Sequence, residues 1–155
     1  MQGNAKVIEQ LNARLAEELT AINQYMVHAE MCEDWGYDQL HEEIQKRSIA
    51  EMRHAEKLIA RILFLGGTPV VSQLNKISIG PDVEKMHKND WQAEEAAVKG
   101  YNASIKVAVD LGDNGTRELL QSILTEEEGH IDWIEAQQSQ IEQMGIQNYL
   151  VEQTD

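Results

Sequence analysis

Two stretches of this chain carry the same pattern at the same spacing. Glu18 is followed 33 residues later by Glu51-Met52-Arg53-His54, and Glu94 is followed 33 residues later by Glu127-Glu128-Gly129-His130. The whole unit repeats at an offset of 76 residues, and Tyr25 and Tyr101 repeat with it, each seven residues after its glutamate. Each copy is written into apolar stripes of helical period. Ile8, Leu11, Leu15, Glu18, Ile22, Tyr25 and Ala29 form one seam between Val7 and about Asp34. That is the pattern of a helix packed along one face. Leu40, Ile44, Glu51, His54, Ala55, Leu58, Ile62 and Leu65 form a second, from about Gln39 to Leu65. Glu94, Val98, Tyr101, Ile105 and Ala108 form a third, and Leu120, Ile123, Glu127, His130, Ile134 and Ile141 a fourth.

The connections between these seams restrict the topology. Gly36, Gly112 and Gly145 are expected stops for the first, third and fourth helices, Asp82 is the expected N-cap of the third, and the fourth is expected to begin near Gly115-Thr116. Gly66 to Pro81 has no helical period. Those residues can reach about 50 Å when extended, and the preceding helix is only about 40 Å long. The chain can therefore return along the whole bundle and set the second and third helices parallel, a long-crossover arrangement. The expected fold is all-α: one domain over residues 1–155, with a four-helix bundle over about 5–144 and a short fifth helix over about 146–152. Tyr149, Leu150 and Val151 make that last segment apolar, and it is expected to pack against something outside the bundle.

Residues three apart on a helix share a face. Glu51 with His54, and Glu127 with His130, each present a carboxylate and an imidazole to one point, while Glu18 and Glu94 add one carboxylate from each remaining helix. Four Glu and two His inside a bundle are the ligand set of carboxylate-bridged di-iron or di-manganese sites. Four carboxylates balance two divalent cations, and without cations they would repel one another in a medium where each buried charge costs several kcal/mol. A lone ExxH is a weak signal. Glu84-Lys85-Met86-His87 also reads ExxH, but His87 lies seven residues before Glu94, about 10 Å along the axis. Neither it nor the Asp38–His41 pair is expected to hold metal.

The net charge of −14 argues against nucleic acid, whose phosphates require clustered Lys and Arg. No apolar run is long enough to span a membrane. The N-terminus lacks a signal-peptide core, so a cytoplasmic location is expected. The single Cys32 excludes an internal disulfide and a four-Cys metal knuckle.

With Glu18, Glu51xxHis54, Glu94 and Glu127xxHis130 in view, the sequence resembles the bacterioferritins over essentially its whole length. Ala21-Ile22-Asn23-Gln24-Tyr25, Arg61-Ile62-Leu63-Phe64-Leu65, Glu126 to Trp133 and Gln147-Asn148-Tyr149-Leu150 are similar to family sequence. The resemblance implies a ferritin-like subunit of a hollow 24-subunit homo-oligomeric cage built from dimers. It implies a ferroxidase that uses dioxygen or peroxide to oxidise Fe(II) at two irons per subunit and stores ferric mineral. Glu51 and Glu127 would bridge the irons, Glu18 and His54 would complete one, and Glu94 and His130 the other. Met52 stands where the family places the axial ligand of a b-type haem shared between two subunits. Met52 lies about 100° around the helix from Glu51, and Ile22, Met26, Ile49 and Ile59 are the expected apolar patch beside it. The family also implies a small iron–sulfur ferredoxin as electron donor for iron release.

One departure stands out. Some family members carry His and Asp where this chain has Lys46 and Ala50, so an auxiliary inner-surface iron site is not expected here. Iron would then pass inward through the centre itself, with His130 as the swinging ligand. The alternative is a di-iron peroxidase or oxygenase without storage, resembling a rubrerythrin core but lacking its four-Cys site. Another is a bundle whose metal site is vestigial. Tyr25 is expected either to engage a ligand carboxylate or donate an electron, or to be a plain core tyrosine. Tyr101 and the three tryptophans are expected to serve packing. His28 and His41 are expected at the surface, and Cys32 as a buried or half-buried thiol.

Overall fold

The computed structural model describes residues 1–155 as five helices and no strand. They are α1 (Ala5–Asp34), α2 (Asp38–Phe64), α3 (Val83–Asp110), α4 (Asn114–Met144) and α5 (Ile146–Gln153). Side-chain caps fix three starts. Asn4 accepts from the Lys6 amide, Asp82 from Lys85 and Asp113 from Thr116. The Asp113 cap is why α4 begins just before the Gly115-Thr116 expected from sequence. Gly36 and Gly112, at φ of 80° and 71°, occupy the left-handed region after α1 and α3 that side chains disfavour.

The four long helices pack as a bundle in which α1 contacts α2 and α3, and α4 contacts α3 and α2. The crossover between α2 and α3 lies along α1. Asn12 bonds Thr68 and Val70, the Thr20 hydroxyl accepts from the Asn75 amide, Gln24 from Ser78, and His28 from Gly80. This ladder climbs α1 in chain order and delivers α3 beside the start of α2, so α2 and α3 run parallel. Where the strap meets α3, a Cβ on Gly80 would sit 2.4 Å from the Met86 amide nitrogen, too close for any other residue.

Two apolar cores fill the bundle. One contains Leu11, Leu15, Leu58, Ile62 and Leu120; the other contains Tyr25, Leu40, Ile44, Met86 and Tyr149. Between them, on every long helix, the stripe turns polar. The third seam is rotated slightly from expectation, since Ala97 and Ser104 are buried while Val98 and Ile105 are only partly so. The tail also differs from expectation. Tyr149 is fully buried against its own bundle, its hydroxyl donating to Gln137 at 2.7 Å and lying 3.1 Å from His87 Nε2. Only Val151 of that segment's large apolar residues remains well exposed.

Candidate metal centre

All six residues of the repeated unit meet in the polar gap between the two cores. Glu18, Glu51, His54, Glu94 and Glu127 are buried to within about 1% and His130 is partly exposed. Their ligand-type atoms form two overlapping groups, Glu18–Glu51–His54–Glu127 and Glu51–Glu94–Glu127–His130, with the atoms of each group within 4.8 Å of one another. Glu51 and Glu127 belong to both.

The sequence repeat becomes a local two-fold exchange. Tyr25 donates to Glu94 at 2.6 Å, and its repeat Tyr101 donates to Glu18 at 2.5 Å. His54 Nδ1 lies 2.8 Å from Glu127, and His130 Nδ1 lies 3.1 Å from Glu51. Each half of the chain completes the other half's site. Tyr101, expected to be packing only, is thus bonded to the site in the same way as Tyr25. The exchange fails at one place. His54 Nε2 is 2.7 Å from Glu126, a carboxylate that holds the ring by its outer nitrogen, as partners of metal-binding histidines commonly do. The residue equivalent to Glu126 by the repeat is Ala50. It has no carboxylate to offer, and His130 borders a cavity of about 280 Å³ lined also by Lys46, Arg47, Ala50 and Trp133.

The electrostatics are those of an under-neutralised acid cluster. Every one of the six residues has at least one buried nitrogen or oxygen without a hydrogen-bond partner, and both oxygens of Glu127 lack one. Burial, together with Glu18, Glu94 and Glu127, pushes the Glu51 carboxyl well above the usual range; burial and Glu94 do the same for Glu127. Burial alone would lower His54, but Glu127 and Glu18 outweigh it and lift the imidazole to about 10. Burial would raise Glu94, but the neighbouring Glu127 and His130 outweigh it and bring it to about 2. Protons thus sit where cations would fit. Burial also pushes Glu17, beside the site, up to about 7 despite the Arg14 guanidinium.

A second buried polar cluster, not among the expectations from sequence, lies nearby. Asp90 accepts from Gln24 Nε2 at 2.8 Å, pairs with His28 Nδ1 at 2.9 Å and binds the Arg47 guanidinium. Arg47 also stands 4.4 Å from the Tyr25 ring centre and 5.5 Å from that of Trp133. His28, expected at the surface, is wholly buried because it joins Asp90 to the crossover at Gly80. It sits three residues after Tyr25 on the same face, the one sequence signal that marked it. His41, also expected at the surface, is half-buried and bonded to the Ala29 carbonyl at 2.9 Å. His87 of the Glu84–His87 pair is buried under Trp133 and Tyr149, and burial brings it down to about 4. Cys32 is buried, as expected. Of the tryptophans, Trp133 packs as expected, Trp91 donates to Glu135 at 3.0 Å, and Trp35 remains 39% exposed.

Met52 is 40% exposed on the α1–α2 face. It lines a shallow cavity of about 230 Å³ with Ile22, Met26 and Ile49. Ile59, expected in that patch, packs into the bundle core instead.

A family model described as a ferritin-like domain matches residues 8–144. A protein named bacterioferritin from Rhodobacter capsulatus is 42% identical over 149 residues, covering 96% of this chain and 92% of the relative. Proteins of the same name from Brucella melitensis (39% identical; 96% and 92% covered) and Streptomyces coelicolor (40%; 99% and 94%) are similar to it. The chain therefore belongs to the ferritin-like family and, within it, to the bacterioferritins. No helix is long and apolar enough to cross a membrane.

Proposed function

We propose that this chain stores iron, oxidising Fe(II) at the buried Glu–His centre and holding ferric mineral in an oligomeric cage. The observation that carries this reading is the set of orphaned ligand atoms on all six residues, arranged as two overlapping groups that share Glu51 and Glu127. Such a site is costly as a purely structural feature and balanced with two divalent cations. In this reading Glu51 and Glu127 bridge the two substrate irons, Glu18 and His54 complete one, and Glu94 and His130 the other. Each Fe(II) yields one electron, and dioxygen takes two electrons and two protons to become hydrogen peroxide. Tyr25 and Tyr101 hold Glu94 and Glu18 in place by donating to one oxygen of each, leaving the other for metal. Glu126 fixes the His54 ring. His130 lacks a counterpart to Glu126 and is the ligand able to swing toward the α2–α4 cavity to pass ferric iron inward. Restoring the missing carboxylate with Ala50→Glu should slow mineral growth while sparing the first oxidation.

The Met52 cavity is apolar, shallow and open on one side, which suits half of a haem pocket completed by a second subunit about a two-fold axis. Met52 and its partner copy would hold the haem, which would supply one-electron transfer for iron release. A haem absorption band lost in Met52→Leu tests this assignment.

Stepwise aerobic Fe(II) addition, followed by ferric absorbance, tests the main reading. A fast phase that saturates near two irons per chain, followed by slow growth far beyond it, is the expected result. A fast phase without later growth favours a di-iron peroxidase or oxygenase without storage.

A further inference from the structure

The buried centre is flanked by two cavities on opposite faces of the bundle, and they differ in charge. The smaller, about 130 Å³, opens between α1, α3 and the crossover, with Glu51, Glu94 and Glu127 lining it from within and Glu17, Asn75 and Lys76 from the other elements. Ala93, Ala96 and Ala97 keep the α3 wall low. The larger, on the α2–α4 face, carries Lys46 and the Asp90-paired Arg47 beside His130, and its single carboxylate, Glu43, is tied to Lys46 at 3.2 Å, so no lining carboxylate there is free. Volume favours the larger cavity for an approaching cation; charge opposes it.

We propose that Glu17 is the outer binding residue of the smaller cavity, taking a divalent cation from solvent and passing it to Glu94 and the carboxylates beyond. This rests on the function proposed above and names its uptake route. Glu17 immediately precedes Glu18 in α1, so it stands about 100° around the helix, facing the cavity rather than the centre. Its side chain is 19% exposed, and Arg14 Nε lies 2.8 Å from Oε1 without forming a hydrogen bond, so Oε1 is buried and has no hydrogen-bond partner. Glu94 lines the same cavity at 1% exposure. One of its oxygens is bonded to Tyr25, while Oε2 has no hydrogen-bond partner. A buried, unsatisfied carboxylate oxygen below a partly exposed carboxylate forms a two-step path for a hard cation, whose preferred donors are oxygens. Lys76 on the crossover is the cavity's only lysine, and the ion-pair partner of Glu17 is Arg14 of its own helix.

The test is stopped-flow uptake of Co(II) by the metal-free, full-length protein at low ionic strength, read by the cobalt absorption bands and by bound metal at equilibrium. Glu17→Gln should slow the second-order rate by about tenfold, within the range that steering by local charge supplies. Final occupancy should stay at the wild-type level. Glu17→Asp should restore most of the rate, Glu43→Gln on the opposite face should leave it unchanged, and added salt should shrink the Glu17→Gln difference. Wild-type rates in Glu17→Gln, or a greater slowing in Glu43→Gln, would overturn this assignment while leaving the centre itself intact. A wild-type protein that binds no cobalt at all would overturn the proposed function and the uptake route together.

Discussion

The bundle buries two charged clusters side by side, and they are satisfied in opposite ways. Around Asp90, the protein supplies the counter-charge: Arg47 neutralises the carboxylate, and Gln24 and His28 occupy its remaining bonding capacity. Around Glu51 and Glu127, it supplies four carboxylates, two imidazoles and too few donors, so orphaned atoms accumulate. Burial is similar in the two clusters, but one sets a single carboxylate against a guanidinium and the other holds four carboxylates. The orphans also differ in kind: those beside Asp90 are the Arg47 donors Nε and Nη1, whereas every glutamate of the centre keeps an orphaned acceptor oxygen that a cation can fill.

Removing a member of each cluster should therefore give opposite results in metal-free protein. Asp90→Ala strands the Arg47 guanidinium in the interior and should destabilise by about 3–5 kcal/mol, visible in denaturant unfolding. Metal should act on the other cluster alone. Co(II) at a hundred times its dissociation constant should stabilise wild type by about 2.7 kcal/mol, and the same metal should do so in Arg47→Met, provided that variant folds. In a variant lacking Glu51 and Glu127, the gain should vanish.

Acidity sharpens the contrast. Glu51 and Glu127 have folded-state pKa values raised above the unfolded value, so the folded chain retains protons the unfolded chain has released. His54, lifted to about 10, behaves in the same direction: its contribution is full below about 6.5 and is lost as pH rises through 10. Metal-free stability should thus fall as the medium is made alkaline from pH 6.5 to 10. Metal must displace these same protons, so apparent affinity should rise with pH, by about 1.4 kcal/mol per pH unit for each proton released. Calorimetry in buffers of different ionisation enthalpy counts those protons. The smallest effect is expected for Glu51→Gln without metal, a gain of about 1 kcal/mol from relieved repulsion, where the Asp90 variant shows a loss.

The centre was legible in sequence because it was written twice. Equal spacing placed all six residues in apolar seams, and a glutamate in a seam has few bland explanations. The Asp90 cluster had no such echo. Arg47 repeats onto Ile123 and Asp90 onto Arg14, so neither halves nor spacing flagged them, and only the packed crossover shows why His28 is buried. Glu126 escaped notice because adjacent acids on α4 look like a solvated face. The tail misled for a related reason: its apolar residues were visible, but that Tyr149 meets His87 and Gln137 of its own chain depends on the angle of the turn at Gly145.

If the six residues form a paired metal site, iron-edge anomalous diffraction from crystals soaked anaerobically in Fe(II) will locate it. Two peaks are expected in the gap between the apolar cores. One should touch Glu18, Glu51, His54 and Glu127, and the other Glu51, Glu94, Glu127 and His130. Iron found only elsewhere on the chain, with no peak between the apolar cores, would contradict a paired site here.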